Sequence, residues 1–107
     1  MNNHDKQSDV ATLINQFSVA PENHDAVITL LQDGVEKVIK HLDGFISVRL
    51  LSSLDKATVV NLAQWQSIEH AQAAFQNPQA QEYANKVKTL VNSATPMMFN
   101  AISMHEA

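Results

Sequence analysis

The chain has no cysteine, two glycines and three prolines among its 107 residues. Without cysteine there is no disulfide framework and no thiolate to act as nucleophile or metal ligand. Gly34 and Gly44 stand alone, so no glycine-rich loop exists to cradle a nucleotide or flavin phosphate. The histidines His4, His24, His41, His70 and His105 fall in no metal-ligand spacing. Basic residues are few and scattered, seven Lys and Arg against eleven Asp and Glu, for a net charge of −4. Nucleic acid and anionic membrane surfaces both call for a basic face, so neither is an expected partner. No apolar run approaches the roughly 20 residues of a membrane span. Met1 to Asp9 is polar and lacks the apolar segment of a secretory signal. A cytoplasmic protein is the expectation. Aromatic residues are also scarce, with a single tryptophan, Trp65, and a single tyrosine, Tyr83.

What is present is organised around residues 57–66, Ala-Thr-Val-Val-Asn-Leu-Ala-Gln-Trp-Gln. Read as a strand, it sets Val59, Asn61, Ala63 and Trp65 on one face and Val60, Leu62, Gln64 and Gln66 on the other. The first face is apolar except for one carboxamide, which costs free energy unless something bonds to it. Val10 to Ala20 alternates in the same way, with Ala11, Leu13, Asn15, Phe17 and Val19 sharing a face. There too a single asparagine interrupts an apolar surface.

The remaining chain supplies the elements between. Pro21 opens a helix whose buried stripe runs through Val27, Leu31, Val35 (or Gly34), Val38 and Leu42. Gly34 inside that helix implies either close packing on a neighbour or space above a cavity. Asp43-Gly44 ends it. Phe45 to Ser53 is a strand, with Phe45, Ser47, Arg49 and Leu51 against Ile46, Val48, Leu50 and Ser52, and Leu54-Asp55-Lys56 turns it into the strand at 57. Ser67 caps a short helix through Ala71, Ala74 and Phe75, broken at Asn77-Pro78. A second helix is expected from Gln79 to Ser93, stopped by Thr95-Pro96, and a last strand from Met97 to Met104.

The order β-α-β-β-α-β implies an α+β, ferredoxin-like fold: a four-stranded antiparallel sheet with its helices on one face. Residues 1–8 read as a disordered tail and 9–105 as one domain. Leu13, Phe17, Phe45, Ala63, Trp65 and Phe99 are expected beneath the helices. The other face would carry Ile14, Leu50, Leu62 and Ile102 with Val10, Val48 and Val60. Such a surface needs a partner, and a second copy packed sheet to sheet is the simplest one.

Asp43-Gly44-Phe45 opening a strand, the run Val59 to Trp65, and Ser67-Ile68-Glu69-His70-Ala71 after it resemble the antibiotic biosynthesis monooxygenase domain across residues 9–105. That resemblance implies a dimeric α/β barrel. In the cofactor-free oxygenases of aromatic polyketide tailoring, a first-strand asparagine, a third-strand asparagine and a tryptophan four residues on line the pocket, and Asn15, Asn61 and Trp65 match those places. The match has gaps. Some of those enzymes add tyrosines and an arginine; here Tyr83, Arg49, Lys86 and Lys88 are what is available. Haem-degrading relatives carry a ligating histidine about ten residues after the tryptophan, where this chain has Phe75, so haem chemistry is disfavoured.

The chemistry implied is oxidation of a polycyclic phenol, quinol or anthrone by O₂ without metal or flavin. Asn15 and Asn61 would donate amide hydrogens to the substrate oxyanion or peroxide, as an oxyanion hole does. Trp65 would stack on the flat substrate, and Leu13, Phe17, Leu31, Ala63, Phe75, Tyr83 and Phe99 would complete the pocket. Neither amide is a base, so the proton goes to water, His41, His70 or is lost through the substrate's own acidity. Two alternatives stand beside this reading. One is a barrel that binds a small apolar ligand without turnover, its amides structural and Trp65 plain core. The other is a barrel that dehydrates or isomerises a polyketide.

Overall fold

The structure, a computed structural model, describes residues 10–107, so the expected tail lies outside the described residues. Strand β1 spans Ala11–Ser18, helix α1 His24–Lys37, β2 Phe45–Ser52, β3 Thr58–Trp65, α2 Ile68–Gln76, α3 Pro78–Lys88 and β4 Ser93–Asn100. Short 3₁₀ turns, Pro21–Asn23 and Ile39–His41, precede and follow α1. The strands form one sheet in the order β2-β3-β1-β4, with every neighbouring pair antiparallel. This is the ferredoxin-like arrangement.

Local chemistry sets the boundaries. Ser67 Oγ accepts the His70 backbone N–H at 3.1 Å and starts α2. Asn77 Oδ1 accepts the Ala80 N–H at 3.0 Å, and Pro78 fills the first position of α3. Gly44 adopts φ +81°, where a Cβ would stand 2.2 Å from His70 Cγ, so only glycine fits this turn. His24 at the start of α1 is buried; its Nε2 lies 2.7 Å from Ser52 Oγ and its Nδ1 2.9 Å from Asp25 Oδ1. The ring fastens the helix to the end of β2.

Cross-strand pairing arranges the helix-covered face in four rows. They are Phe45–Trp65–Ala11–Asn100, Val48–Ala63–Leu13–Met98, Leu50–Asn61–Asn15–Pro96 and Ser52–Val59–Phe17–Ala94. Two core clusters grow from these rows. Phe17 and Val59 pack with Val19, Val27 and Val87; Ala63 and Trp65 pack with Ala71 and Ala74. Phe45 and Trp65 meet edge to face, centroids 5.7 Å apart at 82°.

Three elements depart from expectation. A bulge between Phe45 and Ser47 shifts the alternation of β2 by one residue. Val48 and Leu50 therefore face the helices, while Arg49 and Leu51 face out. Helix α3 stops at Lys88, not Ser93, and Leu90 and Val91 reach the first cluster from the connection. The last strand begins at Ser93 and ends at Asn100. Pro96 sits inside it, tolerated because β4 is an edge strand whose alternate N–H groups have no ladder partner. The register pairs Met98 with Leu13 and Phe99 with Thr12, so Met98 lies under the helices and Phe99 on the outer face, 42% exposed. Ile102 lies beyond the strand and is fully exposed.

Candidate active site

The third row places Asn15 and Asn61 directly opposite each other on adjacent strands. Paired positions of this kind hold their Cβ atoms about 5 Å apart. The two amides share a row with Leu50 and Pro96, and lie between the two core clusters. Both Oδ1 atoms are buried and without a hydrogen-bond partner among the described residues. Native interiors pair nearly all such groups, so two orphans side by side point to a partner that is not part of the chain. A half-turn of either amide exchanges Oδ1 and Nδ2 with little change of shape. Each position can thus offer an N–H to a ligand oxygen or accept from a ligand hydroxyl.

Above this row lies a cavity of about 190 Å³. Leu13, Asn15, Phe17, Asn61, Ala63 and Trp65 form its sheet side; Leu31, Gly34 and Tyr83 line it from α1 and α3; Phe75, half-exposed, stands with Gln81 and Lys88 on its solvent side. The space exists because small side chains meet there. Ala63, Ala71, Ala74, Ala80, Ala84 and Gly34 all border it. Phe99, expected among the lining, does not contribute, since its face of β4 points away; Met98 takes the inward place beside the second cluster.

Both readings of Gly34 hold at once: it borders the cavity and packs on a neighbour, where an added Cβ would come within 3.1 Å of Tyr83 Cγ. The Tyr83 hydroxyl donates to Asp33 Oδ2 at 3.1 Å, and Lys37 Nζ lies 3.1 Å from Asp33 Oδ1. Partial burial and the hydrogen bond to Asp33 raise the Tyr83 pKa above its ordinary value. The Lys37 hydrogen bond, helped by Tyr83, holds the Asp33 carboxyl below its ordinary range. Asp33 is therefore an anion and a poor base. The long-range contact between Tyr83 and α1 spans 50 positions and left no local signal in the sequence.

The histidines considered as proton acceptors stand elsewhere. His70 Nδ1 is 2.7 Å from Ser67 Oγ, His41 Nε2 is 3.1 Å from the Glu36 carbonyl, and neither ring lines the cavity. Among the described residues no three His, Asp or Glu side chains gather as a metal site.

The family description "antibiotic biosynthesis monooxygenase" matches residues 11–86, which include both asparagines, Trp65 and Tyr83. The chain belongs to that family. Tetracenomycin-F1 monooxygenase from Streptomyces glaucescens is 37% identical over 75 residues, covering 70% of this chain and 67% of that protein. Among solved structures, SnoaB of Streptomyces nogalater, a cofactor-independent oxygenase, superposes with a TM-score of 0.73 at 23% identity, covering 90% of this chain and 96% of that one. A conserved protein of Methanosarcina mazei Go1 superposes with 0.81 at 11% identity, over 91% and 97%. At those identities the structural matches speak to the fold.

Proposed function

We propose that this chain is a cofactor-independent monooxygenase that oxidises a fused-ring phenol, quinol or anthrone with O₂. The observation that carries the reading is the pair of unpartnered, adjacent amides facing an apolar cavity walled by Trp65. Family membership and the tetracenomycin-F1 monooxygenase relative support it.

The substrate loses a proton to give a phenolate or enolate. Asn15 and Asn61 turn their N–H groups to that oxygen and stabilise its charge among largely apolar walls. The electron-rich anion passes one electron to O₂, and the resulting radical pair combines at the activated carbon as a hydroperoxide. Loss of water leaves a new carbonyl. For a naphthol, one ring C–H, the O–H and one O₂ become two C=O and one H₂O, with the substrate as sole reductant. The same amides then face the developing peroxide charge. The proton leaves through the solvent side of the cavity, past Gln81 and Lys88, because no histidine among the described residues stands in it.

The outer sheet face completes the proposal. Leu51, Met97 and Phe99 are 43%, 54% and 42% exposed there, beside Ile14, Val60 and Leu62 on the inner strands. Packing this face on a second copy buries a stripe too apolar to stay in water. Oxygen uptake with an anthrone and a naphthol, in protein treated with chelator and free of flavin, tests the activity. Uptake is expected with at least one of the two, reduced at least tenfold in Asn61→Ala. No uptake across such a panel, or indifference to that substitution, would overturn the reading.

A further inference from the structure

Tyr83 is the aromatic wall of the cavity on the helix side, where Leu30, Leu31 and Val35 of α1 line it too. Tyr83 lies against α1 where Gly34 has no side chain, so close that a Cβ there would stand 3.1 Å from its Cγ. Its hydroxyl is tied to Asp33 at 3.1 Å, Asp33 is itself held by Lys37, and Lys86 Nζ lies over the ring 5.3 Å from the centroid. A tyrosine with one bare contact would swing aside for a large ligand. One seated on a glycine, hydrogen-bonded to a carboxylate and covered by a cation acts as a fixed wall.

The space left is small. Ligand pockets commonly run to roughly 300–1,000 Å³, and an apolar cavity of about 150 Å³ holds one benzene ring. At about 190 Å³ this cavity takes one ring fully and a second fused ring as far as its solvent side at Phe75. A third linear ring must displace Tyr83 or stand in water. Resting on the oxygenase reading above, we propose that Tyr83 is a specificity-determining residue that restricts the substrate to two fused aromatic rings, and that Asp33 is its positioning residue.

The test needs no turnover. A hydroxynaphthoquinone and a hydroxyanthraquinone are already oxidised, and both quench the fluorescence of Trp65, the single tryptophan, when they bind beside it. The two-ring probe is expected to bind the unmodified protein at least tenfold more tightly than the three-ring probe. Asp33→Leu and Tyr83→Ala should each bring that ratio below threefold. Asp33→Asn keeps an acceptor for the phenol and should keep the ratio. Equal or tighter binding of the three-ring probe by the unmodified protein, or binding of neither, overturns the proposal whatever the variants do. So does a ratio that survives both Asp33→Leu and Tyr83→Ala in variants that still melt cooperatively. If the ratio behaves as expected while no oxygen is consumed, the oxygenase reading fails and the size limit stands.

Discussion

Replacing Asn61 by leucine should make this protein more stable and less active. The expectation rests on the orphaned Asn61 Oδ1, buried among Leu50, Val59 and Ala63 without a partner among the described residues. A buried polar group left unsatisfied costs about 1–3 kcal/mol. Leucine has nearly the same outline, carries no polar atom, and matches Leu50, its neighbour in the row. The amide borders a cavity and some of its surface is accessible, so the low end of that range, about 1 kcal/mol, is the reasonable figure. For a domain of this size that corresponds to a rise in Tm of about 4 °C. Loss of one preorganised donor to a developing oxyanion costs roughly 10²–10³ in kcat.

The two measurements are a thermal melt followed by circular dichroism and oxygen uptake on the same preparation. A structural amide, bonded and supporting the sheet, would give the opposite stability result: Tm would fall, and activity would fall only as the folded fraction does. A lower Tm thus refutes the reading of Asn61 as an orphan held for chemistry. A higher Tm with unchanged turnover refutes its role as donor. Because Asn15 and Asn61 are direct cross-strand partners, the double substitution should lose little more activity than either single one, as groups acting on one charge do.

Two further expectations follow from the same geometry. Leu62→Arg puts a charge in the middle of the outer face, away from the cavity, and should convert a dimer to a monomer by sedimentation velocity; an unchanged mass would refute the sheet-to-sheet contact. Tyr83, the single tyrosine, should titrate above its ordinary value of about 10 in ultraviolet absorbance, and Asp33→Leu should lower it; a Tyr83 value indifferent to Asp33 would refute the clamp. The signs of its contribution to stability differ at the two ends. The raised Tyr83 pKa gives a contribution present below the ordinary tyrosine value and lost as pH rises through the folded one. The lowered Asp33 pKa gives one present above the ordinary aspartate value and lost as pH falls through the folded one. The clamp is thus intact across neutral pH.

The sequence carried the inner strands most clearly. In β1 and β3 one face is buried or half-buried along its length, so burial enforces a period of two, and the place of Asn15 and Asn61 on that face followed from it; their direct pairing is set by the register. The edge strands were harder to read for physical reasons. In β2 a single extra residue at the bulge reverses every later side chain, and no residue between Phe45 and Ser47 announces it. In β4 Pro96 reads as a helix stop, yet it is a proline on an edge, where a missing N–H costs no ladder bond. Alternation alone leaves open whether Phe99 or Met98 faces the helices. Register, set from Ser93 onward by β1, puts Met98 there. The Asp33–Tyr83 bond joins two helices far apart in sequence, and neither residue is unusual for a helix surface.

The asparagine pair and the small residues around it form one design. A sheet face with two unpaired amides in its central row can be kept only if the rows on either side bury enough apolar surface to carry the fold. Phe17 and Val59 on one side, and Ala63 and Trp65 on the other, anchor two separate clusters. Between them, Gly34, Ala63, Ala71, Ala74, Ala80 and Ala84 hold back atoms that would otherwise close over the amides. Larger apolar side chains at the alanine positions bordering the space would fill it and hide the asparagines. Gly34 is small where Tyr83 packs on it, but smallness at the five alanines, on three different elements, removes dispersion contacts from their neighbours. It becomes intelligible when the space is for a flat apolar ligand whose oxygen meets Asn15 and Asn61 and whose face meets Trp65. On the proposed reading, Tyr83 sets how much of that ligand the space admits.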